Sequence, residues 1–370
     1  MGIFGHGRMS QKTTKILFLV PYPLGIAASQ RFRFEQYFGI LDQAGIEYDV
    51  QPFLDHNAFK TIYSTGNLIG KLWNVFTGFV RRMYIMFRLG RYDFVFVHRE
   101  AEPLGLPVFE WIITKIAGKK MIFDFDDAIW LKNLSTGNPL MYYVKRYANA
   151  NNAMKWAHKV SCGNRYLAEQ ASKFNSTVVV NPTTIDTLNH HNKVRDFSDL
   201  NKVVIGWTGT HSTIPYLESI VEILQELEQE FDFEFMVIAD REPEFNLKSL
   251  RFVKWSKETE IDDLLKMHVG VMPLVQDQWS QGKCGFKALQ YMALGIPAIV
   301  SPVGVNTKIV DHEVNGFVCE TKEEWRKILR SILEKPQLLQ QFSELARKKI
   351  ETNYSVKSNT PEFLHLFDLD

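Results

Sequence analysis

The sequence predicts two successive α/β domains, each a parallel sheet with helices on both faces. Three observations carry this. The chain has 370 residues, too many for one ordinary core. Short apolar runs alternate with longer amphipathic segments along most of it, the pattern of repeated βα units. Around 181–201 the pattern dissolves into Asn181-Pro182-Thr183-Thr184, the pair His190-His191 and a polar stretch with Asp196 and Asp199, then restarts.

The first unit opens with Lys15 to Val20, followed by Pro21-Tyr22-Pro23-Leu24-Gly25 and a helical stretch from about Ser29. Further strands are predicted at Glu47 to Phe53, Asp93 to His98, Lys119 to Asp126, Lys159 to Gly163 and Thr177 to Val180. The second unit starts with Val203 to Gly209, a helix over Ile214 to Glu230, and Phe233 to Asp240. Strands then follow at Arg251 to Trp255, Val269 to Leu274, Ala298 to Pro302 and Phe317 to Cys319, and helices from Pro336 onward. The expected division is a flexible extension at 1–14, a first domain at 15–186, a linker at 187–201, a second domain at 202–345, and helices at 346–370 packing back on the first domain. Ligands of such sheets bind beyond the carboxyl ends of the strands, so two facing sheets would form a cleft there.

Composition is that of a globular protein, with 45% hydrophobic and 23% charged residues and a net charge of +1. The near-neutral total hides an asymmetry. Residues 1–186 carry 22 Lys and Arg against 14 Asp and Glu, and the remainder 21 against 28. A basic half suits an anionic partner such as a phosphate-bearing substrate or a lipid surface. No motif points to nucleic acid. Cys162, Cys284 and Cys319 are far apart, odd in number and without metal-ligand spacing, which argues for a reducing compartment, no disulfide and no zinc. The polar start lacks the apolar core of a secretory signal. A cytoplasmic protein is expected, with the inner face of the membrane as an open possibility.

Three stretches carry a family resemblance. Val179-Val180-Asn181-Pro182 runs on to Ile185-Asp186; Gly282-Lys283-Cys284-Gly285-Phe286-Lys287 runs on through Gln290 to Gly295-Ile296-Pro297; and Ser301-Pro302-Val303-Gly304 is followed by Asn315-Gly316-Phe317. Together, in this order, they resemble the large retaining glycosyltransferase family with the two-domain GT-B fold, usually called family 4. The resemblance implies a GT-B architecture of two facing Rossmann-like domains with a cleft between them, a nucleotide-sugar donor on the second domain and a glycan or lipid-linked acceptor on the first. It also implies synthesis of cell-surface polysaccharide or glycoconjugate without a cofactor. The chain departs from the family where a Glu-x7-Glu pair is usual, because Gly282 and Gln290 stand there. Gln290 can still accept a ribose hydroxyl proton.

Breaking a nucleotide sugar leaves negative charge on the diphosphate, so the donor site needs preorganised positive potential. The Gly209-Thr210-His211-Ser212-Thr213 loop leads into a helix whose free N–H groups could hold phosphate oxygens. Lys283 and Lys287, four residues apart, would add point charges; as an isolated pair they would read as solvated helix residues, and the motif around them is what favours the donor role. His98 ends a buried strand, where the resemblance implies a place near the transferred sugar, and a structural hydrogen-bonding role is the alternative. Asp124-Phe125-Asp126-Asp127 could be an Asp-x-Asp metal motif, but with the donor signature in the other half, Asp126 and Asp127 are assigned to the acceptor side of the cleft and no metal is expected. Gly25, Arg31 and Arg33 are read as acceptor contacts or as an ordinary first helical turn.

Leu68 to Leu89 mixes large apolar residues with Lys71, Arg81, Arg82 and Arg88, too many cations to span a bilayer comfortably. It is either a basic amphipathic helix in peripheral contact with anionic lipid or a helix packed on the first sheet. The functional expectation is metal-free retaining transfer with Lys283 and His98 at the reacting centre. A nucleotide-sugar epimerase or phosphorylase on the same fold is an alternative, as is a non-catalytic nucleotide-sugar-binding subunit, given the missing carboxylates.

Overall fold

The computed structural model describes residues 14–62, 64, 66–131 and 149–369; apart from Thr14, the expected extension at 1–14 lies outside them. Twelve strands form two parallel six-stranded sheets. In the first, β1 (Lys15–Val20), β2 (Glu47–Pro52), β3 (Phe94–His98), β4 (Lys120–Phe125), β5 (Lys159–Cys162) and β6 (Val178–Val180) lie in the order β2-β1-β3-β4-β5-β6. In the second, β7 (Val203–Thr208), β8 (Phe233–Ala239), β9 (Leu250–Lys254), β10 (Val269–Met272), β11 (Ala298–Val300) and β12 (Gly316–Val318) lie in the order β12-β11-β10-β7-β8-β9. Each sheet therefore reverses direction of growth beside its first strand, at the switch point where this class of fold opens a ligand crevice. Central strands read as unbroken apolar runs because helices cover both faces. Ile16 to Val20, Phe94 to Val97 and Phe235 to Ala239 are all buried.

Close helix packing fixes the second sheet's crevice. A Cβ at Gly270 on β10 would strike the Tyr291 ring, so the Phe286–Ala293 helix lies directly on the strand. The Tyr291 hydroxyl accepts the backbone N–H of Thr208 at 3.0 Å, pinning that helix to the end of β7. Lys283 and Lys287 thus stand on a framework tied to both strands that flank the switch point.

The Gln337–Asn353 helix packs on the second domain through Leu339, Ala346 and Ile350. The chain then crosses back at Tyr354 and Ser355, where Ile185 and Ser355 form a bridge, so the return falls later than the boundary at 346. The following Val356–His365 helix stacks Phe363 on Tyr37 at 4.1 Å and joins the Phe18, Phe34 and Phe96 cluster under the first sheet. Arg347 ties this crossover to the linker, donating to the carbonyls of Thr187 at 2.9 Å and His191 at 2.5 Å, and to that of Ala293. All three cysteines are buried and unpaired.

His191 sits at this crossover, fully buried, its Nδ1 against that of His190 at 3.0 Å. Burial, then the nearby charges of His190, Arg31 and Arg347, holds its imidazole well below the usual histidine range. The unfolded chain therefore takes up a proton that the folded one refuses, and stability falls as pH drops below about 6.5. Chemical denaturation at neutral pH and at lower pH should show a loss of up to about 1.4 kcal/mol per pH unit from this group, and His191→Gln should lose correspondingly less.

Candidate active site

The ends of β3, β4 and β5 converge on a buried carboxylate. Asp124 accepts from His98 Nδ1 at 2.8 Å, from the Ser161 hydroxyl at 2.6 Å and from the Arg33 guanidinium. Burial alone would raise its pKa; the charge of Arg33 and the hydrogen bond from His98 outweigh that and hold it well below the carboxylate range. An ionised carboxylate only accepts, so Nδ1 carries the His98 proton; Nε2 is buried with no partner. His98 occupies the strand end that the sequence indicated but is fully buried and bonded to Asp124, so in this arrangement it does not face the cleft and the structural hydrogen-bonding role is the one the geometry shows.

Arg33 is not the acceptor contact that the sequence suggested. Its side chain is fully buried, paired with Asp124 and donating to the Asn181 carbonyl, with no face left for a ligand. Arg31 is likewise engaged, in a 2.6 Å ion pair with Glu260 of the second domain. Glu260 also faces Trp255 Nε1 at 3.3 Å and Gln290 Nε2 at 3.4 Å. Gln290 is 2% exposed and committed to that cluster in this arrangement, so the ribose contact is not open to solvent here. Gly25, with φ +79°, borders the same contact, because a Cβ there would lie 2.6 Å from Lys257 Nζ. Glu260 and Lys257 had no sequence signal, as their partners are more than 200 positions away.

Immediately after His98, Arg99 adopts φ +60° and donates its backbone N–H to the Asp124 carbonyl at 2.6 Å. This turn aims its guanidinium at Asp126 (2.7 Å) and Asp127 (2.9 Å). Asp127 also accepts from Lys283 Nζ at 2.8 Å, so the lysine points into the gap and reaches the opposite domain. Burial pushes the Lys283 ammonium down, but the charge and hydrogen bond of Asp127 prevail and its pKa is raised. Lys283 also lies over the Trp279 ring at 5.0 Å. Lys287 has no anionic partner among the described residues. It stands over the Trp207 ring at 5.4 Å, and burial followed by repulsion from Lys283 pushes its ammonium down to about 8, with Asp127 pulling the other way.

The domains touch along the loop that carries Lys283. Asn164 donates to the carbonyls of Gln281 (3.2 Å) and Lys283 (3.0 Å), the Cys284 thiol donates to the Asp126 carbonyl at 3.2 Å, and Phe32 meets Phe286 at 4.5 Å. The Gly209 to Thr213 loop behaves differently from expectation. His211 starts a 3-10 segment (His211–Leu217), containing Pro215, and not an α-helix. Its backbone N–H and its Nδ1 both bond Asp240, each at 2.6 Å. An internal carboxylate thus occupies the N–H that was assigned to phosphate, while Thr210 caps the segment. Gly209 is needed for packing, because a Cβ there would strike the Trp207 ring. Among the described residues no group of three His, Cys, Asp or Glu side chains is placed to hold a metal ion, and Asp126 and Asp127 are paired with cations of the protein.

The departure at Gly282 has a steric basis. A Cβ there would lie 2.9 Å from the backbone N and 3.0 Å from the Cβ of Ala128, in the other domain. Gly282→Glu should therefore push the domains apart at this point. Its expected cost is about 1–3 kcal/mol by overpacking, read as a lower denaturation midpoint together with faster proteolysis at the crossover.

Comparison with known proteins agrees with this geometry. Residues 234–349 match the family model for glycosyl transferases group 1. No curated protein sequence matches the chain significantly. Among solved structures, sucrose-phosphate synthase from Thermosynechococcus elongatus superposes with a TM-score of 0.68 at 13% identity, covering 96% of this chain and 98% of that one. Anabaena HepE in complex with UDP and glucose gives 0.63 at 14% identity, covering 96% and 99%. The lipopolysaccharide outer core galactosyltransferase WaaB gives 0.61 at 11% identity, covering 96% and 99%. With two parallel six-stranded sheets in the GT-B arrangement and a group 1 match across the second, the chain is a glycosyltransferase.

Proposed function

We propose that this enzyme transfers a sugar from a nucleotide-diphosphate donor to a glycan or lipid-linked acceptor with retention of configuration. The observation that carries the donor side is the lysine pair at the start of the Phe286–Ala293 helix. Lys287 is a half-buried ammonium without an anionic partner, beside Lys283, whose present partner is a carboxylate of the opposite domain. Two adjacent cations repel, and a diphosphate bridging them relieves the repulsion while gaining charge-assisted hydrogen bonds. Lys283 exchanges Asp127 for phosphate when donor enters, and Asp127 keeps Arg99. The HepE structure, which holds UDP and glucose on the same fold, makes a UDP-sugar the first donor to try.

In this reading the acceptor oxygen approaches C1 from the side on which the C1–oxygen bond to phosphate breaks. The new glycosidic bond forms as that electron pair passes to the diphosphate, which also takes the acceptor's proton. Lys283 and Lys287 stabilise the departing charge, and His98, buried on Asp124, supports the floor of the site from below. Closure across Gly282 and Asn164 excludes water, so positioning supplies most of the barrier reduction. Arg99, Asp126 and Asp127 form the acceptor-side wall.

Incubation with UDP-, GDP- and ADP-sugars, with and without a chelator, should give transfer or slow hydrolysis from one nucleotide class regardless of the chelator. Loss of all activity on chelation would contradict the metal-free route, and tight donor binding without turnover on any acceptor would favour a binding role instead. Lys283→Ala should weaken nucleotide-diphosphate binding about 10–100-fold, the value of a charge-assisted contact.

Titration of Lys287 supplies an independent check. An anionic ligand prefers the protonated lysine, which is lost in the free protein above about pH 8. Calorimetric affinity for the donor nucleotide should therefore fall as pH rises through 8, by up to about tenfold per unit. Lys287→Arg, which stays charged, should flatten this dependence.

A further inference from the structure

The Leu68–Met86 helix is apolar on more of its circumference than its packing uses. Gly78, Arg82, Ile85 and Met86 face the protein, with Gly78 so close to Phe53 that a Cβ would touch the ring. The opposite side carries a second apolar stripe, with Ile69 83%, Trp73 63%, Phe76 57% and Phe87 84% exposed. Their spacing of three, four and seven or more residues places them on one face of the helix. Trp111 and Ile116 add to the apolar surface nearby, 44% and 65% exposed. A surface helix with apolar residues on both sides has lost the polar outer face that solvent demands.

Charge identifies what covers it. No Asp or Glu occurs between Asp55 and Asp93, a span holding Lys60, Lys71, Arg81, Arg82, Arg88 and Arg91. Arg82 is internal, donating to the carbonyls of Val20, Gln51 and Ala101 at 2.5–2.7 Å, and Arg81 pairs with Asp55 at 3.1 Å. Lys71, in the first turn of the helix, donates to the Ser64 carbonyl, and Arg88, just past its end, lies over the Tyr84 ring at 4.4 Å; neither has a carboxylate partner among the described residues. Lys115 is exposed beside Ile116. Aromatic and aliphatic side chains flanked by cations, with no acid among them, match the boundary between acyl chains and anionic headgroups. The helix is not built to go further: among the described residues none is long and apolar enough to cross a membrane.

We infer that this face docks the enzyme on an anionic bilayer, with the helix lying in the interfacial plane. Arg82 fixes the orientation. Its three carbonyl partners lie at or just past the carboxyl ends of β1, β2 and β3, the same end of the sheet that presents Arg99. Docking therefore holds the acceptor side of the cleft near the headgroups.

Co-sedimentation of the full chain with vesicles tests this without reference to turnover. Phosphatidylcholine vesicles containing phosphatidylglycerol should bind the protein at least about tenfold better than phosphatidylcholine alone, since each cation near the surface contributes about 1 kcal/mol. The pair Trp73→Glu and Phe76→Glu should lower binding about tenfold or more, and Lys71→Glu with Arg88→Glu should remove the preference for anionic lipid. Unchanged thermal unfolding and nucleotide binding would show these variants folded. The proposal is overturned by equal binding to both vesicle types, by variants that bind as the parent does, or by a protein that ignores vesicles. Should sedimentation velocity show a dimer that Trp73→Glu dissociates, with no vesicle binding, a second copy covers the face instead.

Discussion

One buried charge organises the site. Asp124 stands at the end of β4 with no exposure, neutralised by Arg33 and held by His98 and Ser161. Those partners come from the segment after β1, from β3 and from β5, and Arg33 extends the connection to the Asn181 carbonyl beyond β6. Removing one partner would leave an uncompensated charge in the interior, a loss of about 3–5 kcal/mol. The cluster therefore sets the relative positions of the strand ends on which the cleft is built. Its influence passes upward through the main chain, because the Asp124 carbonyl receives the N–H of Arg99 and so fixes that residue's left-handed turn. From there the guanidinium aligns Asp126 and Asp127, and Asp127 in turn holds Lys283 across the gap.

The charges above this floor form an incomplete set. Arg99 and Lys283 balance Asp126 and Asp127, which leaves the Lys287 ammonium in excess beside them. Such an excess is costly in a partly buried place, which is why the proposed function sets an anion there. Under that proposal its pKa depression and its affinity for a diphosphate would have the same origin. Burial and the neighbouring lysine destabilise the charged form, and an incoming diphosphate removes the second cause and offsets the first.

Much of the fold was legible from local pattern. All twelve strands stand within a few residues of their predicted positions, since a strand covered on both faces must be continuously apolar and its neighbours are turn-rich. Strand ends and one motif also pointed to residues that the structure brings together between the domains, Asp126, Asp127, Lys283 and Lys287, while His98 at its strand end is buried beneath them. What escaped were partners fixed by tertiary approach. Arg31 was a candidate acceptor contact because it follows the first strand beside Gly25, yet Glu260 meets it 229 positions later. His211 looked like the free N-terminus of a helix, but Asp240, at the end of the adjacent β8, supplies the cap. Pattern reports which groups reach the carboxyl edge of a sheet; it does not report which of them neutralise one another there.

Gly282 shows how a missing functional group can follow from packing. In the resembling family a carboxylate is usual at this place, where it would contact the sugar. Here the loop from Asp277 to Gly285 lies against the first domain, with Ala128 within 3 Å of where a Cβ would begin. A glutamate could not occupy that space without parting the domains, so the chain has a direct backbone approach where a side chain would otherwise bridge the distance. The same approach brings the Asn164 amide to the Gln281 and Lys283 carbonyls and the Cys284 thiol to that of Asp126. Under the proposed function, the contacts that a carboxylate would make here fall to other groups that this close approach gathers. Across from Lys283 that contact presents Arg99, Asp126 and Asp127, and all three depend for their placement on the buried Asp124.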